Sequence, residues 1–184
     1  MAPHLLIIGG ADSGKSALAQ RLAEALCPTP VYLATATAGD EEMARRIARH
    51  KAQRDSRWRT VEEPIRIAQV LGELEGVVVV DCLGMWVSNM MMRGMGEQEI
   101  LEQFNELIGR LGSVACRVIF VSQEVGLGIV PGEPVARAYR VIMGRAHQML
   151  VGAGVRAVLV IAGIPLVLKP FSVEELLEEV GNGS

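Results

Sequence analysis

One stretch limits what this chain can fold into more than any other: Leu5-Leu6-Ile7-Ile8-Gly9-Gly10-Ala11-Asp12-Ser13-Gly14-Lys15-Ser16. Four apolar residues run into G-x-x-x-x-G-K-S, and an alanine- and leucine-rich helical pattern from Ala17 to Leu26 follows at once. Strand, glycine loop and helix in that order make a phosphate site, because the loop N–H groups and the positive helix end converge on one point. Lys15 is expected to reach the β- and γ-phosphates, and the Ser16 hydroxyl to hold Mg2+. A glycine turn that merely precedes a helix is the plainer reading, but lysine is scarce here, with Lys15 one of only three. The stretch therefore implies an α/β chain that binds a nucleoside triphosphate.

The rest of the chain alternates strands and helices, which predicts one domain over residues 1–184 built on a mainly parallel sheet flanked by helices. Val31 to Thr35 reads as a strand, 41–54 as a helix capped by Asp40, and Trp58 to Glu62 as a short strand or loop. Pro64 to Leu74 reads as a helix; Val77 to Asp81 is a buried strand. A helix over 97–111, a strand over 118–122 and a helix over 137–151 follow, then Ala157–Ile161 and Ile164–Leu168 as an antiparallel hairpin around Gly163. Ser172 to Val180 reads as a short acidic helix. The apolar window Met149 to Leu168 is interrupted by Arg156, Pro165 and glycines, so it predicts a helix end and two strands rather than a membrane span.

Two further places carry chemistry. Val77-Val78-Val79-Val80-Asp81 has the Walker B pattern, a buried strand ending in a carboxylate beside the Mg2+. In the 41–54 helix, Arg46, His50 and Arg54 share a stripe, with Arg45, Arg49 and Lys51 around them and Met43 and Ile47 on the apolar side. That is either a solvated basic face or a guanidinium cluster for phosphates with an imidazole in its middle. Surrounding positive charge favours a neutral, nucleophilic His50. The five methionines and Trp86 between Met85 and Met95 read as core or subunit contact, with an adaptable apolar surface for a bulky ligand as the alternative. Cys27, Cys82 and Cys116 form no C-x-x-C pair and read as small buried residues of a reducing compartment, which with no signal-peptide pattern predicts a cytoplasmic protein. The net charge of −3 gives no reason to expect nucleic acid as a partner.

With these pieces in place the chain resembles the bifunctional adenosylcobinamide kinase / adenosylcobinamide-phosphate guanylyltransferase family. The resemblance is carried by the 9–16 loop, Tyr32-Leu33-Ala34-Thr35, Asp40-Glu41-Glu42-Met43 with Arg46-Ile47 and His50, and Trp58-Arg59-Thr60-Val61-Glu62. It continues in Asp81-Cys82-Leu83 with Trp86-Val87-Ser88-Asn89, and in Glu124-Val125-Gly126 with Gly128-Ile129-Val130-Pro131. It implies a P-loop, RecA-like fold and a homotrimer. It also implies phosphorylation of adenosylcobinamide by ATP or GTP, then transfer of GMP from GTP through a guanylyl-histidine at His50. The family's nucleotide contacts would fall on Gly9, Gly10, Ala11, Asp12, Ser13, Gly14, Lys15 and Ser16, on Ala34, Thr35 and Ala36, on Lys51, Ala52, Gln53 and Arg54, and on Glu62 and Gly84. Mg2+ would fall to Ser16 and Asp81, and the corrinoid would be the second substrate. Three positions differ from relatives: Arg49 precedes His50 where some have a second histidine, Gly84 stands where a hydroxyl residue is frequent, and His147 where asparagine is usual.

Two other readings compete. An ordinary small-molecule P-loop kinase explains Lys15, Ser16 and Asp81 but leaves His50 idle. A GTP-dependent switch would read guanine through N-K-x-D after a strand, and here that place holds Ser122-Gln123-Glu124-Val125.

Overall fold

The computed structural model describes residues 4–39, 41–52 and 54–168, with the backbone alone at Glu42, Met43, Arg46 and His50. In chain order the elements are β1 (Leu5–Gly9), α1 (Lys15–Leu26), β2 (Val31–Ala34), α2 (Glu41–Ala52), β3 (Arg59–Glu62), α3 (Ile67–Leu71) and β4 (Gly76–Asp81). They continue as α4 (Leu83–Met92), α5 (Glu97–Leu111), β5 (Cys116–Gln123), α6 (Pro134–Gly152), β6 (Arg156–Ile161) and β7 (Ile164–Leu168). The Asp40 cap, Gln53 and the 172–180 helix lie outside the described residues.

The strands form one sheet in the order β3-β2-β4-β5-β1-β6-β7. Every pairing is parallel except β6 with β7, which is the expected antiparallel hairpin. The strand feeding the glycine loop, β1, and the strand ending in Asp81, β4, are separated by β5. The central strands are buried on both faces, which is why they read as unbroken apolar runs. Alternation splits each strand between two cores. Val78, Val80, Leu33, Leu6 and Phe120 pack under α3 to α6, and Val77, Val79, Ile7, Ile119 and Val121 pack under α1. α1 meets the sheet through Ala19 and Ala23, small residues that bring it close.

Several boundaries moved. The predicted 64–74 helix is only Ile67–Leu71, because the Glu63 carboxylate accepts hydrogen bonds from the Ile65 and Arg66 N–H groups and makes a turn there. α6 starts earlier than expected, at Pro134, whose missing N–H costs nothing at a first turn. Most of the methionine stretch is core: Trp86 and Met90 are fully buried in α4, with the Trp86 indole N–H donating to Ile65 O at 2.6 Å. Met85 packs on the other core and faces the site described below, and Met92 is exposed at the surface. His4 ties two elements: the Val118 N–H donates to its Nδ1 at 3.1 Å, which leaves Nε2–H to donate to Leu111 O at 3.0 Å. Of the cysteines, Cys82 and Cys116 are buried and Cys27 half-buried, and all three are free thiols. No described helix is long and apolar enough to cross a membrane.

Candidate active site

β1 delivers Gly9 into the middle of the sheet, opposite Gln123 of β5 and Val160 of β6. The loop then folds back so closely that a Cβ on Gly9 would lie 2.4 Å from Ser13 Oγ and 2.7 Å from Val160 O. Gly14 enters α1 with φ of 92°, the left-handed region that favours glycine. The turn of the β6–β7 hairpin supports this point from outside. Gly163 N–H donates to Ser13 O at 2.9 Å, and the Gly163 Cα lies 3.3 Å from where a Gly14 Cβ would be. Lys15 is only 7% exposed, and its ammonium bridges the loop by donating to Gly10 O at 2.8 Å. The Ser13 hydroxyl is buried without a hydrogen-bond partner.

The carboxylate side is locked by hydrogen bonds between β2, β4 and α4. Tyr32 OH donates to Asp81 Oδ2 at 2.9 Å. Burial, and then the adjacent Asp81 charge, push the Tyr32 phenol far above its ordinary range, so it stays a donor. The Thr35 hydroxyl donates to Cys82 O and accepts from Cys82 N–H, both at 2.8 Å, and Asn89 Nδ2 donates to Thr35 O at 2.7 Å. Burial raises the Cys82 thiol to about 12, which keeps it uncharged beside Asp81.

Between the two sides lies a cavity of about 400 Å³. Its charged and hydroxyl lining includes Lys15, Ser16 and Asp81 together with Lys51, Arg54 and Glu62. Ala34, Ala36, Ile47, Pro64 and Met85 add apolar surface to its wall. The Arg54 guanidinium lies 3.7 Å over the Tyr32 ring, with Nε and Nη1 buried and not hydrogen-bonded. Lys51 Nζ approaches Glu62 Oε1 at 3.9 Å, an exposed pair. Gln123 reaches the cavity from the end of β5, held by Tyr139 OH at 3.4 Å.

The protein's own groups fit a magnesium ion. Mg2+ takes one or two protein oxygens and leaves its other positions to water and phosphate. A Ser16 hydroxyl and an Asp81 carboxylate with Oδ2 already engaged and one oxygen to offer meet that demand, without the cage of three or more side chains that the described residues lack.

The model of the family described as cobinamide kinase / cobinamide phosphate guanyltransferase matches residues 5–168. The chain belongs to that family. It is 43% identical over 173 residues to the bifunctional adenosylcobalamin biosynthesis protein CobP of Pseudomonas aeruginosa, covering 89% of this chain and 96% of the relative. It is 34% identical over 183 residues to the bifunctional adenosylcobalamin biosynthesis protein CobU of Escherichia coli, covering 90% and 99%. The Salmonella typhimurium protein of the same name is 34% identical over 185 residues, again covering 90% and 99%. The expected P-loop α/β fold and family are thus borne out, and the chain is an enzyme of the cobinamide kinase / guanyltransferase class rather than a switch.

Against that family's expected contacts, the structure gathers Lys15, Ser16, Ala34, Ala36, Lys51, Arg54, Glu62 and Asp81 around one cavity. Gly9, Gly10, Ala11, Asp12, Ser13 and Gly14 form the loop at its end. Thr35 is fully buried, and its hydroxyl is spent on Cys82 rather than offered to a ligand. Gly84 sits behind the cavity wall, where an added Cβ would be 2.5 Å from Tyr139 OH and 3.2 Å from Gln123 Oε1. Its lack of a side chain makes room for the tyrosine hydroxyl. Ala52 ends α2 on the surface, and Gln53 and the imidazole of His50 lie outside the described residues. Tyr32, Met85 and Gln123 were missed by sequence reasoning. Tyr32 left a signal, a hydroxyl-bearing ring in an otherwise aliphatic strand.

Proposed function

We propose that this single cavity serves both halves of the family's chemistry. In the first half, the terminal hydroxyl of adenosylcobinamide attacks the γ-phosphorus of ATP or GTP, the bond to the β-bridging oxygen breaks, and the hydroxyl proton is lost to solvent. Lys15 draws charge from the phosphates, the loop N–H groups hold them, and Ser16 and Asp81 would hold the Mg2+ that neutralises developing charge. In the second half, a neutral His50 nitrogen attacks the α-phosphorus of GTP and pyrophosphate leaves. An oxygen of adenosylcobinamide phosphate then attacks the same phosphorus, the P–N bond breaks, and adenosylcobinamide-GDP is released. Splitting the transfer in two replaces one difficult displacement with two easier ones.

The observation that carries this reading is the course of α2. Ile47 on α2, Lys51 one turn later and Arg54 just beyond it all line the cavity that holds Lys15 and Asp81. Position 50 belongs to that same 47-50-51-54 stripe, by helical periodicity. The apolar wall of Ala36, Ile47, Pro64 and Met85 suits a purine, and Arg54 with its unpartnered nitrogens suits a phosphate. Further parts of the reading are a cytoplasmic homotrimer with no nucleic-acid partner. The exposed apolar residues of β7 and of the 127–130 loop, Ile129 at 96% exposure among them, support self-association, and the three free thiols support a reducing compartment. The test is wild type beside His50→Ala, each given adenosylcobinamide and GTP. The variant is expected to make the phosphate and not the GDP-linked product, and α-labelled GTP should leave an acid-labile, base-stable label on wild type alone. Equal loss of both products, or of neither, removes His50 from the mechanism.

A further inference from the structure

β2 places Tyr32 beside Val79 of β4 and Ala34 beside Asp81. Tyr32 therefore starts two residues short of Asp81 along the sheet, a gap of roughly 7 Å. Both side chains point to the α1 face, and the gap is one a phenol spans: the hydroxyl arrives 2.9 Å from Asp81 Oδ2. Phenylalanine would reach without bonding, and leucine would not reach.

The same ring has a second neighbour. Arg54 leaves the end of α2 and lays its guanidinium over the ring face at 3.7 Å, while Trp58 closes on the ring edge-on with centroids 6.2 Å apart. A cation over an aromatic face is attracted without using its N–H donors. Arg54 Nε and Nη1 are buried and unbonded, donors that are costly to leave unmatched unless an anion comes to them. One side chain thus touches both the Asp81 carboxylate and the Arg54 guanidinium.

We infer that Tyr32 is a positioning residue shared by the metal side and the phosphate side of the site: its hydroxyl fixes the orientation of Asp81, and its ring carries Arg54, whose guanidinium lines the cavity with two donors unmatched. This rests on the nucleotide reading of the cavity. It goes beyond that reading by assigning one residue to both ends of the ligand. Asp81 with Oδ2 engaged presents its other oxygen in one orientation rather than many, which lowers the ordering cost of Mg2+ binding. Arg54 resting on a ring is likewise held where a phosphate needs it.

Two substitutions separate the two roles. Tyr32→Phe keeps the ring and removes the hydroxyl; Tyr32→Leu removes both. Mn2+ binding to the GDP-loaded protein, followed by electron paramagnetic resonance, reads the metal side. GDP affinity in EDTA, by calorimetry, reads the phosphate side. Tyr32→Phe should weaken Mn2+ binding about tenfold and leave metal-free GDP affinity unchanged. Tyr32→Leu should also weaken metal-free GDP binding, by about fivefold. Arg54→Ala should add little to that second loss in the Tyr32→Leu background while costing affinity in wild type, since the two act together. A Tyr32→Phe protein with wild-type Mn2+ affinity overturns the inference, as does a pair of variants that differ from wild type only in melting temperature. Wild type that binds no GDP would instead overturn the nucleotide reading itself, and the inference with it.

Discussion

The glycine loop and helix α2 face each other across one cavity, yet they are built in opposite ways. The loop is wedged between β5 and β6, closed by a buried lysine, and braced by a hairpin turn. α2 makes no extensive contact with any other described element, and apart from half-buried Ile47 its described side chains are exposed. Its one described intrahelical ion pair, Arg45 with Glu41 at 3.6 Å, lies at the surface. The proposed seat for a polyanion is braced by the core strands and the hairpin turn. Among its described side chains, the element proposed to carry the nucleophile is held chiefly through Ile47 and the cavity it borders. Substitutions in the loop should therefore cost activity and stability together, and substitutions on α2 activity alone.

The sharpest way to break that contrast is His50→Ala. Guanylyl transfer should fall by about 10⁴-fold or more, as for loss of a nucleophile, with the melting temperature unmoved in a thermal scan. A large drop in melting temperature would place His50 in packing. Lys15→Ala comes next, and should lower both activities by about 10²–10³-fold in product assays. Loss of only one activity would mean that the two reactions use different phosphate seats.

Two tests probe the wall behind the cavity. His147 shares a 2.7 Å hydrogen bond with fully buried Ser122, and burial lowers its imidazole to about 4. Between the ordinary value of 6.5 and about 4, the unfolded chain takes up a proton that the folded chain refuses. Stability contributed by this group should thus fall as pH drops through that window, by about 3 kcal/mol in all, and level off below it. His147→Asn should flatten that slope in urea titrations. Gly84→Ala forces a Cβ to 2.5 Å from Tyr139 OH and should cost about 1–3 kcal/mol, read as a shifted urea midpoint. The smallest effect belongs to the exposed Lys51–Glu62 pair. Lys51→Gln should change stability by less than about 0.5 kcal/mol, so any larger effect on GTP affinity would belong to ligand contact.

What the sequence made legible follows the same division. G-x-x-x-x-G-K-S and the Val77–Asp81 run are local signals, and both ended where their patterns placed them, with the final hairpin as expected. The role of Thr35 was not legible. Its motif points to a nucleotide, while its hydroxyl is captured by Cys82, which is 47 positions away and a neighbour only once β2 and β4 pair. His4 was passed over for the same reason, since its partners Leu111 and Val118 meet it through the sheet. The short α3 could have been read from Glu63, whose carboxylate caps a turn within three residues. The Gly84 gap required knowing that Tyr139, from α6, would fill it.

The hydrogen bond from Gly163 to Ser13 joins two places 150 positions apart, and it sets a schedule. The glycine motif is translated well before β5 and β6, yet β1 gains its sheet neighbours only with those strands, and its outer support only when the β6–β7 hairpin has emerged. A nascent chain stopped before residue 163 would carry nearly every side chain named in the cavity and still lack the scaffold that shapes the loop. Competence to grip a triphosphate is thus deferred until Gly163 has been made.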